Sequence, residues 1–176
     1  FEEYFKSVEI IHFFLGPATV ALALPLYKNL NYVKTLFIPI VLTLVIAGIF
    51  SVVIAISLLW IFGAELPTIL SMTTKSITAP IAIITSQQIG AIPSLAVGFV
   101  LITGIIGALF GTIVFKIFKV KYETSKGFAL GLVSHGIGTA RAIEISEKAA
   151  AFGALAMGLS GIFTAIFLPM IITFFR

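Results

Sequence analysis

The residues able to do chemistry in this sequence gather around three interruptions of otherwise apolar stretches. Pro17 and Thr19 lie in Gly16-Pro17-Ala18-Thr19, Thr78 and Pro80 in Thr78-Ala79-Pro80, and Gly138 and Thr139 in Gly138-Thr139-Ala140. Each sets a threonine hydroxyl beside a residue that disfavours a continuous helix. A helix starting at such a break presents unpaired N–H groups and the positive end of its dipole, which suits an anion. Taken singly, each break is explained by the ordinary abundance of Gly and Pro in membrane helices. Taken together, the three favour a binding role.

The third break has the richest surroundings: Ser134, His135, Arg141 and Glu144 flank it. A guanidinium at membrane depth is costly unless paired or wet, and its planar fork fits a carboxylate. Arg141 is therefore a candidate substrate ligand. The alternative pairs it with Glu144 at i+3, or sends it toward the interface. His135 titrates in the range needed for proton coupling, with a hydrogen-bonded packing role as the alternative. Glu144 is a second candidate proton carrier. Lys75 reads as a snorkelling end charge and His12 as structural. No nucleophile–base pair, paired carboxylates or phosphate loop is recognisable, so no catalytic residue is assigned. With no Cys, no Asp and two His, no metal site and no cofactor are expected.

Elements that could hold these residues must be membrane elements. The chain of 176 residues is 60% hydrophobic and 10% charged, with mean hydropathy +1.20, whereas soluble domains carry about 25% charged residues. Residues 35–64, 76–115 and 149–175 hold no charged side chain, and about 20 apolar residues cross a bilayer core. The net charge of +4 does not indicate nucleic acid. Lys28, Lys34, Lys116, Lys119, Lys121 and Lys126 fall in short connections, the usual mark of cytoplasmic loops.

The expected fold is an all-α membrane protein, a polytopic bundle with broken or re-entrant helices, in one domain over residues 1–176. Spans are expected near 10–27, 36–62, 91–118 and 150–175, the first broken at Gly16-Pro17. Gly104, Gly107 and Gly111 would let a neighbouring helix pack closely. Residues 66–90 and 127–149 are too polar for lipid and too apolar for water, so they read as broken or re-entrant. A re-entrant 66–90 also returns all the loop lysines to one side. Thr78-Ala79 recurs as Thr139-Ala140, and Leu95-Ala96-Val97-Gly98 as Leu155-Ala156-Met157-Gly158, a faint inverted repeat of the kind found in secondary transporters. Because Phe1 is not Met and residues 1–9 do not form a signal peptide, the chain reads as a fragment lacking an upstream part.

Several stretches together resemble the LrgB/CidB family of bacterial membrane proteins: LGPATVALALPLYK at 15–28, KSITAPIAI at 75–83, GAIPSL at 90–95, LITGIIGALFG at 101–111, ALGLVSHGIGTARAIEI at 129–145 and ALAMGLSGIFTAI at 154–166. The resemblance covers nearly the whole chain. Where relatives often carry an acidic residue after IAI this chain has Ile84, so an acidic partner there is not expected. The resemblance implies a multi-pass protein of the bacterial cytoplasmic membrane. It also implies one of two roles: regulation of murein hydrolase export and lysis with a small holin-like LrgA/CidA partner, or movement of small carboxylates such as pyruvate, glycolate or glycerate. The broken helices favour carboxylate transport, with lysis control downstream and the non-transporting regulator as the alternative. Partners expected are therefore the lipid bilayer, a small carboxylate and the holin-like protein, with homo-oligomerisation left open. A purely structural scaffold would tolerate valine at Thr19, Thr78 and Thr139.

Overall fold

A computed structural model of the chain describes residues 20, 21 and 23–174. Among them are eight α-helices and no strand: α1 (Ala23–Lys28), α2 (Leu30–Thr35), α3 (Phe37–Ile61), α4 (Leu66–Thr73), α5 (Ala79–Ile89), α6 (Pro93–Ile117), α7 (Glu123–Ile143) and α8 (Glu147–Phe174). Helices α3, α6 and α8 have 25, 25 and 28 residues and are long and apolar enough to cross a membrane. At about 1.5 Å per residue each exceeds the roughly 30 Å hydrocarbon core. Their outer faces, including Ile46, Phe50, Ile102, Ile106, Ile162 and Ile166, are exposed. Such surface is stable only in lipid. The helical, membrane-type architecture with broken helices is what this chain forms.

One end of the bundle is marked by lysines. Lys28 Nζ pairs with Glu147 Oε1 at 2.9 Å, and Lys148 Nζ lies 4.6 Å from the centre of the Tyr32 ring. These contacts hold the end of α1 and α2 against the start of α8. Ser146 Oγ donates to Glu123 Oε2 at 3.0 Å, joining the two ends of α7 to each other at that same end. A cluster of Ile40 and Leu44 from α3, Phe128 and Leu132 from α7, and Ala151, Phe152 and Ala156 from α8 fills the space behind.

Helix α7 is not one rod. His135 has φ 42 and ψ −126, which folds the chain back on itself. In a straight helix Leu130 and Gly138 would stand about 12 Å apart. Here a Cβ on Gly138 would collide with the Leu130 carbonyl oxygen, so the arms touch backbone to backbone and only glycine fits. Leu130 and Ala142 accordingly share one core cluster with Ala149. The break expected at Gly138 lies instead at His135, the helix resumes at Gly136, and Gly138 serves the close approach of the arms.

Helices α4 and α5 make a second hairpin, looser than the first. The hydroxyl of Ser71 on α4 donates to the Pro67 carbonyl at 2.7 Å and accepts the Ile92 N–H at 2.9 Å, clasping the far end of α5 beside α4. Gly90, at φ 74, ends α5 in the left-handed conformation, while Ala91 N–H reaches back to the Ser86 carbonyl at 2.8 Å, as in a Schellman cap. The hydroxyl-rich composition of 66–90 is explained locally. Thr73, Thr74 and Ser86 are buried with their hydroxyls returned to carbonyls three residues earlier, at 2.6, 2.9 and 2.8 Å.

Candidate functional site

The tips of the two hairpins meet beside the middle of α6. In the turn between α4 and α5, Ile77 is buried against Val100 of α6 and Ala82 of α5. From the opposite end, His135 Nε2 donates to the Val100 carbonyl, 3.0 Å away. One residue of α6 thus touches both tips. Helix α8 does the same from the other side: Met157 Sδ lies 3.9 Å from Thr139 Oγ1, and a Cβ on Gly161 would sit 2.8 Å from Ile81 Cδ1 of α5. The hairpins run in from opposite ends of α6, because the α4–α5 clasp is at Ile92 while the α7 arms pack with Phe115.

Ser134 and His135 form the second tip and are 0% and 5% exposed. Both need glycine opposite them on α6. A Cβ on Gly104 would come within 2.8 Å of His135 Cε1, and one on Gly107 would overlap Ser134 Oγ; Gly111 faces Leu130. The packing glycines named from sequence thus receive the α7 hairpin. Thr139 Oγ1 donates to the His135 carbonyl at 2.8 Å, securing the first turn of the returning arm. Among the described residues, Ser134 Oγ is the buried side-chain polar atom without a hydrogen-bond partner. A non-glycine residue at positive φ beside an unpaired buried hydroxyl is costly on both counts, by about 1–3 kcal/mol each. Such costs collect where a chain binds or switches.

The proposed ligands divide between tips and rim. Ser134, His135, Gly138 and Thr139 belong to one tip. Thr78 is the half-buried N-cap of α5, and Pro80 is exposed in its first turn. Pro17 and Thr19, with the break they define, lie outside the described residues, as does His12. Arg141 stands apart. It occupies the last turn of the returning arm, about 9 Å of helix rise from His135, and its guanidinium pairs with the carboxylate of Glu144. Their side chains are 39% and 62% exposed, so this pair sits at the mouth of the hairpin and its charges already cancel. The i+3 pairing weighed against ligand binding is therefore the contact formed.

Lys75 differs from its sequence reading in the other direction. Instead of snorkelling from a helix end, it belongs to the α4–α5 turn and donates to Ser51 Oγ at 2.6 Å and the Ser51 carbonyl at 3.3 Å. Ser51 lies ten residues from the end of α3, about 15 Å by helix rise. No carboxylate pairs with Lys75 among the described residues. Sequence gave one usable signal: a cation within the hydroxyl-rich stretch, where a return turn would carry it inward.

Comparison with known proteins supports a family but no solved fold. No solved structure matches the chain. The protein called antiholin-like protein LrgB from Bacillus mycoides is 35% identical over 174 residues, covering 99% of this chain and 76% of that relative. Proteins of the same name from Bacillus cereus and Bacillus anthracis are each 34% identical over the same span and shares. The LrgB-like family matches residues 1–174. This identity and coverage, together with the family match over nearly the whole chain, lead to one assignment: the chain belongs to the LrgB-like family.

Proposed function

We propose that this protein is a non-enzymatic, antiholin-like component of the bacterial cytoplasmic membrane that restrains murein hydrolase export and lysis, acting with a small holin-like partner of LrgA/CidA type. The observation carrying this reading is the similarity to antiholin-like LrgB proteins over 99% of the chain. In the membrane, α3, α6 and α8 cross, the two hairpins re-enter, and the lysine end faces the cytoplasm, following the positive-inside rule. The test is expression in a bacterium deleted for its own LrgB-type gene, with and without the holin-like partner. Slower autolysis and weaker murein hydrolase activity in the secreted fraction are expected. Unchanged autolysis in both backgrounds refutes the regulatory role.

A second reading rests on the crossing of the hairpins: passage of small carboxylates of pyruvate, glycolate or glycerate type, with lysis control as its consequence. Inverted re-entrant units meeting near the midplane are a recurring transporter plan. The tip residues Ser134, His135 and Thr139 offer hydrogen bonds, and Lys75, across the crossing point, offers charge not cancelled by a carboxylate. With the tips buried, substrate entry requires the hairpins to part. His135 at the tip is the candidate proton carrier, whereas Glu144 at the mouth is already neutralised by Arg141. Saturable uptake of labelled glycolate into proteoliposomes supports this reading; absence of flux under any imposed gradient leaves the regulator alone.

A further inference from the structure

At the lysine end, the cation count exceeds what the nearby acids can neutralise, and the excess lies around one cleft. The cleft has a volume of about 520 Å³ and lies between the end of α6 and the base of the α7 hairpin. Lys116, Lys119, Lys121 and Lys126 line it, with Phe115 and Ile145 as its apolar floor. Two of the three described carboxylates at this end are paired with other cations, and Glu123, bonded to a neutral hydroxyl, can offset only one of the four lysines. Glu123 accepts from Ser146, Glu144 pairs with Arg141, and Glu147 pairs with Lys28. Glu65, at the N-cap position of α4, lies at the other end of α3. Lys119 takes φ 52, the left-handed region, as the chain turns out of α6 toward the cleft. One cation here answers the negative end of the α6 dipole and Glu123 can offset another; the rest remain in excess.

The surroundings identify the anion. Beside the cleft, Ile113, Val114 and Ile117 of α6 and the following Phe118 are exposed, an apolar flank continuous with the lipid-facing side of that helix. A ligand filling both environments has an anionic head and hydrocarbon chains. We infer that this cleft is a binding site for the phosphodiester headgroup of an anionic phospholipid, its acyl chains lying along α6. Basic pockets at the cytoplasmic ends of membrane helices bind such headgroups. The site is independent of the hairpin tips and of either functional reading.

The test uses the purified chain in detergent with phosphatidylglycerol, phosphatidylcholine, inorganic phosphate or glycerol phosphate, reading retained lipid by native mass spectrometry and stability by melting temperature. Phosphatidylglycerol is expected to be retained and to raise the melting temperature, with phosphatidylcholine inert. Retention falls about fivefold for each lysine removed, from the roughly 1 kcal/mol that a basic residue contributes near an anionic surface. Lys119→Gln reads one such step, and Lys116→Gln/Lys119→Gln/Lys126→Gln reads three. Lys34→Gln, outside the cleft, is the control and stays as the parent. Equal retention of the two lipids, or a triple variant that holds phosphatidylglycerol as the parent does, overturns the inference. Stabilisation by inorganic phosphate or glycerol phosphate equal to that by phosphatidylglycerol overturns the lipid assignment, leaving an aqueous anion site. Should the triple variant fail to fold, the single variant decides.

Discussion

Removing a hydroxyl should make this protein more stable and less able to do its work. Ser134 Oγ is fully buried at the α7 tip with no hydrogen-bond partner, wedged against Gly107. A buried unsatisfied polar group costs about 1–3 kcal/mol. Ser134→Ala deletes that group and leaves the backbone at the tip unchanged. The lost contacts of one oxygen return only a few tenths of a kcal/mol, so the net gain is about 1–2 kcal/mol. For a domain near this size, 1 kcal/mol moves the melting temperature by about 2–4 °C, so Ser134→Ala should melt a few degrees above the parent. Ser86→Ala supplies the contrast, because the Ser86 hydroxyl bonds the Ile83 carbonyl at 2.8 Å. Losing that bond costs about 1 kcal/mol, and that variant should melt lower. The assay is thermal unfolding in one detergent for all three proteins, followed by glycolate uptake in proteoliposomes. On the transport reading, Ser134→Ala is expected to lose saturable uptake although it is more stable. If it melts at or below Ser86→Ala, the hydroxyl has a partner and the reasoning fails.

Other outcomes follow from the same geometry. Gly131→Ala should destabilise by about 1–3 kcal/mol, since its methyl would overlap the Gly153 carbonyl, whereas Gly98→Ala, with nothing within 4 Å, should be neutral or stabilising by up to about 1 kcal/mol; melting temperatures separate the two. Lys75→Met should fold and melt no lower than the parent yet lose saturable carboxylate uptake, and full uptake by that variant removes Lys75 from the site. Arg141→Gln/Glu144→Gln, which deletes an already neutral pair at the mouth, should keep at least half of parental uptake; a complete loss restores Arg141 as a ligand. Ser71→Ala, which frees the Ile92 N–H, should speed amide exchange at residues 90–92 while leaving the α7 tip protected.

Much of this architecture was written locally. Charge-free runs announced α3, α6 and α8, because burial in hydrocarbon is a property of composition summed over a window. The hydroxyl-rich stretch 66–90 and the glycine-rich stretch 127–149 were legible as interruptions for the same reason: neither suits lipid or water. The stacked glycines 104, 107 and 111 declared a face prepared for close approach, though not what would approach it. Side-chain partners were less legible. Arg141 attracted attention as a lone cation beside a glycine-rich break, yet Glu144, three residues on, is close enough to cancel it at the rim. Lys75 looked like an end charge because the linear chain does not reveal how deep a turn penetrates. His135 carries the reversal, while the glycines around it do not, since strain at one position is tolerated only where neighbouring elements hold it.

The sequence by itself thus determined the solvent this protein lives in, the positions of the three long apolar helices α3, α6 and α8, the stretches where helices had to break, and the family to which the chain belongs. Tertiary structure alone decided that the two re-entrant stretches meet at Val100, that Ser134 is left without a partner, that Lys75 reaches Ser51, and that four lysines line one cleft. The reason is physical. Hydrophobicity and backbone propensity act over a few neighbouring residues, whereas depth, pairing and charge balance depend on segments tens of residues apart being brought together.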